Sequence, residues 1–149
     1  MQIKFHYSWI YNEMLNRIGQ GDYTWDEVKK YGEEFETKYK NEIKQIVEVI
    51  PEVVGKPWSQ DYMDVYLVSY KGPSFSKPLT LKVREDQLLM LVILTHELLH
   101  YFYVGSVNEP KKMEVWVNAN THKVFELLGI EASEQLKTLK KHFDERFDN

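Results

Sequence analysis

No cysteine occurs among the 149 residues, which removes disulfides, thiolate zinc sites, iron–sulfur clusters and thiol nucleophiles together. Any metal must then be held by His, Asp or Glu. Glycine and proline are scarce, at 7 and 5 residues, and no Gly/Ser/Pro-rich stretch marks a linker. Long apolar runs are missing too: the longest, residues 88–94, is too short to cross a bilayer. There is no excess of positive charge, with 19 Lys plus Arg against 23 Asp plus Glu and a net charge of −4. That is a poor footprint for nucleic acid. The first residues, MQIKFHYSWIYNEMLNRIG, lack the charged, apolar and small-residue order of a secretion signal. These absences point to a cytoplasmic protein with neither nucleic acid nor membrane as partner.

What is present is a core. Hydrophobic residues make up 43% and aromatics 14%, enough to exclude general disorder. The expected organisation is one domain over 1–149, with a helical N-terminal part (1–57), a central core (62–129) and a C-terminal helix (132–149). Trp9, Ile10, Met14, Leu15 and Ile18 recur near helical spacing and predict a short amphipathic helix. Thr24 and Glu27 form a capping-box pattern. Behind them Val28, Phe35, Tyr39, Ile43, Ile46, Val47 and Ile50 predict one long helix ending at Pro51, weakened or bent at Gly32. Residues 62–70 and 78–83 read as two antiparallel strands joined by the turn residues Lys71, Gly72, Pro73 and Ser74. Asp86 caps a helix from 87 to about 104 whose first half is apolar on every side, hence buried all round. Asn108 and Pro110 open a further helix that Gly129 stops. Ser133 caps the last, whose Leu136, Leu139, Phe143 and Phe147 make a stripe suited to core or homodimer packing. The order of helices, strands and helices indicates an α+β fold.

Chemistry concentrates at His96-Glu97-Leu98-Leu99-His100. Residues four apart share a helix face, so both imidazoles can hold one metal ion. Glu97 lies about 100° round the helix from His96, where its carboxylate can stand beside a water without being a ligand. With 5 histidines in the chain, the pattern arises by chance in roughly 2% of such sequences. A catalytic zinc site needs a third protein ligand and keeps the fourth position for water. Downstream candidates are Glu109, Glu114, His122 and Glu126. Glu114 is preferred, being just inside the positive end of its helix, with Glu109 and His122 as alternatives. Asn118, four residues on, shares its face and can accept the free N–H of a ligating histidine.

HELLH followed by EVWVN resembles the gluzincin zinc metallopeptidases, in which a glutamate from a following helix completes the site. The chain is most similar to the archaeal minigluzincins, which are small and lack a separate C-terminal subdomain. The resemblance covers roughly 62–129 and departs at Asn118, where the best-known members carry Asp. It implies a zincin-like fold, with a small antiparallel sheet packed on an active-site helix and a glutamate helix. It further implies one Zn2+ per chain, and a peptide or unfolded protein as substrate. The extended substrate would pair along an edge strand, here Leu79, Thr80, Leu81 and Lys82.

The expected chemistry is peptide-bond hydrolysis with Glu97 as general base, and His122, Tyr101, Tyr103 or Tyr66 as donor to the oxyanion. A di-iron carboxylate bundle would need a second Glu-x-x-His, and none exists. The remaining alternative is a non-proteolytic metal-binding or regulatory domain, or an enzyme kept latent by its own termini. His6 and His142 are expected at the surface or at helix ends.

Overall fold

The computed structural model describes residues 1–106 and 108–147. In chain order these form β1 (Gln2–His6), α1 (Trp9–Asn16), α2 (Trp25–Lys38), α3 (Lys40–Val54), β2 (Tyr62–Val68), β3 (Phe75–Ser76), β4 (Leu79–Lys82), α4 (Gln87–Leu99), a 3-10 turn (His100–Phe102), α5 (Pro110–Leu128) and α6 (Ser133–Phe147). The fold is α+β, with one four-stranded sheet in the order β1-β2-β4-β3. No helix among the described residues is long and apolar enough to cross a membrane.

The sheet is mixed, not antiparallel as expected. β1 runs parallel to β2, and β2 runs parallel to β4 with Tyr66 opposite Thr80. Only β3 is antiparallel, pairing with β4. The turn chemistry at 71–74 does reverse the chain, but that reversal serves the short β3. A second reversal, at Lys77 and Pro78, sends β4 back between β2 and β3.

α4 lies at the centre. Every residue from Leu89 to Leu99 is buried, against Val65, Leu67, Leu79 and Leu81 of the sheet and against Phe35, Ile46, Val117 and Phe125 of the other helices. Asp86 caps it, accepting the Leu89 N–H at 3.0 Å. The capping box forms, Thr24 and Glu27 each accepting the other's backbone N–H. The long N-terminal helix is instead two helices broken at Tyr39, and it passes through Pro51. Pro51 cannot donate to the carbonyl of Val47, four residues back. The indole N–H of Trp58 donates to that oxygen at 2.9 Å, so the helix continues to Val54.

α1 forms where expected but faces the wrong way. Trp9, Ile10 and Met14 are exposed, as is Ile18 beyond the helix, and its buried residues are Asn12 and Leu15. Amide bonds hold it to the sheet: Asn12 Oδ1 accepts the Ser69 N–H, and Asn16 Nδ2 donates to the Ser69 carbonyl. β1 was not anticipated. His6 is not a free surface group either, since its ring stacks on Tyr66 and its Nε2 lies 2.6 Å from Asp64.

Gly32 marks close approach of α2 to the sheet, not a bend. A Cβ there would lie 2.5 Å from Tyr7 Cε1 and 2.9 Å from Leu67 Cδ1. Alanine is favoured over glycine inside a helix by about 1 kcal/mol, whereas overpacking costs about 1–3 kcal/mol. Gly32→Ala should therefore lower stability, by about 1 kcal/mol, in a urea titration; a rise of that size would show that Tyr7 and Leu67 yield freely.

Candidate metal centre

The centre is built by two helices that cross through the core. His96 stands near the end of α4, and His100 opens the 3-10 turn that follows. Helical geometry continues through both positions, so the two rings face the same way, with centroids 4.9 Å apart. α5 brings Glu114 across them from its second turn. Glu114 Oε2 lies 3.0 Å from His96 Nε2, and Oε1 lies 3.2 Å from His100 Nε2. The two Nε2 atoms are themselves 3.2 Å apart.

These separations suit a metal. Ligands about 2.05 Å from a tetrahedral zinc stand about 3.3 Å from one another. One donor atom from each of the three residues falls within a 4.8 Å cluster, and Glu97 is not among them. Of the four downstream candidates, only Glu114 joins the histidines. Glu109 is exposed and pairs with Lys112 at 2.6 Å, while His122 and Glu126 are exposed further along α5.

Electrostatics separates the two carboxylates. Burial alone would raise the pKa of Glu114, but its hydrogen bonds to His100 and His96 overcome that and hold it well below the usual carboxylate range. Glu97 is equally shut in, at 7% exposure. Burial raises its pKa, aided by the charge of Glu114 and opposed by His96, His100 and Arg146. One carboxylate is held as an anion; the other is poised to take up a proton.

The hydrogen bond expected between Asn118 and a ligating histidine is not formed. Asn118 Oδ1 and His96 Nδ1 are both buried without a partner among the described residues. If Nε2 binds a metal, a neutral His96 carries its proton on Nδ1, so this donor is unmet.

The cluster opens on a cleft of about 800 Å³ bounded by β3, α4, α5 and α6. Of the four oxyanion candidates, Tyr103 alone reaches it. His122 is exposed away from the cleft, and Tyr66 stacks on His6. Tyr101 donates its hydroxyl to the Ser76 carbonyl. The strand expected to receive substrate is also misplaced. β4 pairs with β2 on one side and β3 on the other, Ser74 Oγ accepts the Lys82 N–H, and Leu79, Thr80 and Leu81 are buried. β3 borders the cleft with both its residues, and β4 reaches it only through its last, Lys82. Five residues of α6, Leu139, His142, Phe143, Arg146 and Phe147, also line it. They follow the Leu136-Leu139-Phe143-Phe147 stripe at helical spacing, which is the signal that could have placed them.

No family profile matches the chain, and no curated protein or solved structure shows significant similarity to it.

Two outcomes test this geometry. Metal analysis after zinc loading and dialysis should find about one zinc per chain, and Glu114→Ala should release most of it; full retention would place the third ligand elsewhere. Glu97→Gln should keep the zinc. It should also raise the melting temperature of the metal-free protein by about 2–4 °C, the equivalent of about 1 kcal/mol, because burial disfavours the charged carboxylate that the substitution removes.

Proposed function

We propose that the protein is a zinc-dependent metallopeptidase with a zincin-like fold, its metal held by His96, His100 and Glu114. The observation that supports this reading is the convergence of two imidazole nitrogens and one carboxylate beside a buried, non-ligating Glu97, all facing one cleft. Zinc, when bound, supplies Lewis acidity that brings the pKa of a water to about 7 and polarises a carbonyl. The rest falls to the chain. Glu97 Oε takes a proton from the attacking water, a role suited to its raised pKa. The same oxygen then returns that proton to the leaving amine nitrogen as the peptide bond breaks. Glu114 keeps its negative charge throughout. Tyr103, at the cleft wall with its ring 5.6 Å from Trp116, is our candidate donor to the oxyanion. Leu91, Leu94 and Leu98 keep water from the back of α4.

The competing reading is a non-proteolytic or latent metal-binding domain. It is favoured by α6, which borders the cleft with Leu139, Phe143 and Phe147.

Hydrolysis of an unstructured protein by the zinc-loaded chain discriminates between them. The parent should cleave, and Glu97→Gln should lose roughly 10²–10⁴-fold in rate with its zinc intact. Equal cleavage by parent and Glu97→Gln would remove Glu97 from the chemistry. If the parent and a Phe143→Ser, Phe147→Ser variant both bind zinc and neither cleaves, the domain is not a peptidase.

A further inference from the structure

The cleft carries charge that the hydrolytic chemistry leaves unused. Lys82 ends β4 and Arg84 follows two residues later, so along extended chain both project to one side. Both line the same cleft as His96 and Glu97. Ile93, three residues before His96 and on the same helix face, lines it with them. Tyr70 links the two regions: Lys82 Nζ lies 5.8 Å from its ring, and burial together with the charges of Tyr11 and Glu97 raises its pKa.

Neither cation has a counter-ion in contact. Among the described residues, Lys82 and Arg84 form no ion pair. The acids that act on them do so from a distance, Asp22 on Lys82 and Asp86 on Arg84. Asp86 is committed elsewhere, accepting from the Leu89 N–H and from Gln135 Nε2. Arg84 Nε is buried with no acceptor at all. Burial makes both cations costly to keep charged and lowers each pKa, and for Lys82 the charge of Arg84 lowers it further.

This concentration runs against the composition of the chain. The protein is net negative at −4, yet the cleft is lined by Lys77, Lys82, Arg84 and Arg146. Among the described residues the only acids lining it are Glu97 and Glu114, and the second is tied to both histidines. A guanidinium takes a carboxylate through two parallel N–H donors, and an adjacent ammonium adds a third.

We infer that Lys82 and Arg84 form a carboxylate-binding subsite at the Ile93 end of the cleft, so that the preferred peptide carries an anionic group there. This rests on the peptidase reading for its ligand being a peptide. The carboxylate is supplied either by an acidic side chain or by the terminus of the peptide chain; the chemistry is the same.

Four matched peptides separate these sources: Glu or Gln at one position, each with a free or an amidated C-terminus. Their dissociation constants are measured by fluorescence titration on the full chain, zinc-free and zinc-loaded, at low ionic strength. Any peptide with a carboxylate in the recognised place should bind roughly tenfold more tightly than its neutral match. Preference for Glu over Gln identifies the side chain; preference for the free over the amidated end identifies the terminus. Arg84→Lys should keep part of the preference, and Lys82→Gln with Arg84→Gln should abolish it. Equal affinities on the unaltered chain, no binding, or a preference that survives in the double variant would overturn the subsite. A carboxylate preference without hydrolysis by the zinc-loaded chain would sink the peptidase reading and leave the subsite standing. Hydrolysis without the preference would do the reverse.

Discussion

A helix that is buried on every side has no polar face on which to place a charge, and α4 nevertheless carries His96, Glu97 and His100. Isolated polar groups in such surroundings cost several kcal/mol each unless they are paired. The molecule relieves most of that cost with a single residue from another helix. Glu114 reaches both imidazoles at once, and its carboxylate is the acceptor that makes their burial tolerable. The docking of α5 on α4 is thus fixed by polar contacts as well as by Val117, Val124 and Phe125. What is left unmet after that pairing is informative. His96 Nδ1 and Asn118 Oδ1 stay buried without partners among the described residues, and Glu97 beside them is buried at a cost that raises its pKa, a pattern of incomplete satisfaction that concentrates at functional sites.

The sheet decides which way the site opens. With β4 drawn into the interior between β2 and β3, the strand nearest the cleft is only two residues long. Ser76 is anchored by Tyr101, from the turn that follows α4, so edge and metal centre are tied to the same stretch of chain. α6 closes the opposite side. Its first half belongs to the core through Leu136 and Leu139, whereas its second half, with Phe143, Arg146 and Phe147, borders the cleft.

Local signals in the sequence were legible wherever local chemistry decides. The Thr24 and Asp86 caps, the stop at Gly129 and the all-round burial of α4 follow from single residues or one period. So does the shared face of His96 and His100. The errors lie where distant residues decide. Pro51 reads as a helix stop until Trp58, from beyond the end of the helix, takes the Val47 carbonyl it orphans. The α1 stripe reads as inward because apolar residues usually are. Here Asn12 and Asn16 claim the inner face by bonding Ser69, from the far side of the fold. β1 did show alternation, with Ile3 and Phe5 toward the core, but it is five residues long and runs almost directly into α1. Strand direction was the largest miss. Turn residues announce a reversal without saying which later segment pairs across it, and only the packing of Leu79 and Leu81 under α4 settles that.

The same burial that makes the centre rigid also confines its exchange with solvent. Leu91, Leu94, Leu98 and Leu99 are buried about α4, and His96, Glu97 and His100 meet solvent at the cleft. Whatever lines that passage then governs the centre. Arg146 in its wall lowers the cost of keeping Glu97 ionised. Its aromatic residues, Phe75 on β3 and Phe143 and Phe147 on α6, set how much space a ligand finds. Charge at the wall and ionisation at the centre are consequently coupled through poorly screened interior, as between Arg146 and Glu97. A ligand that neutralises the wall would raise the proton affinity of Glu97 as it binds. Binding and proton uptake at Glu97 would then occur together.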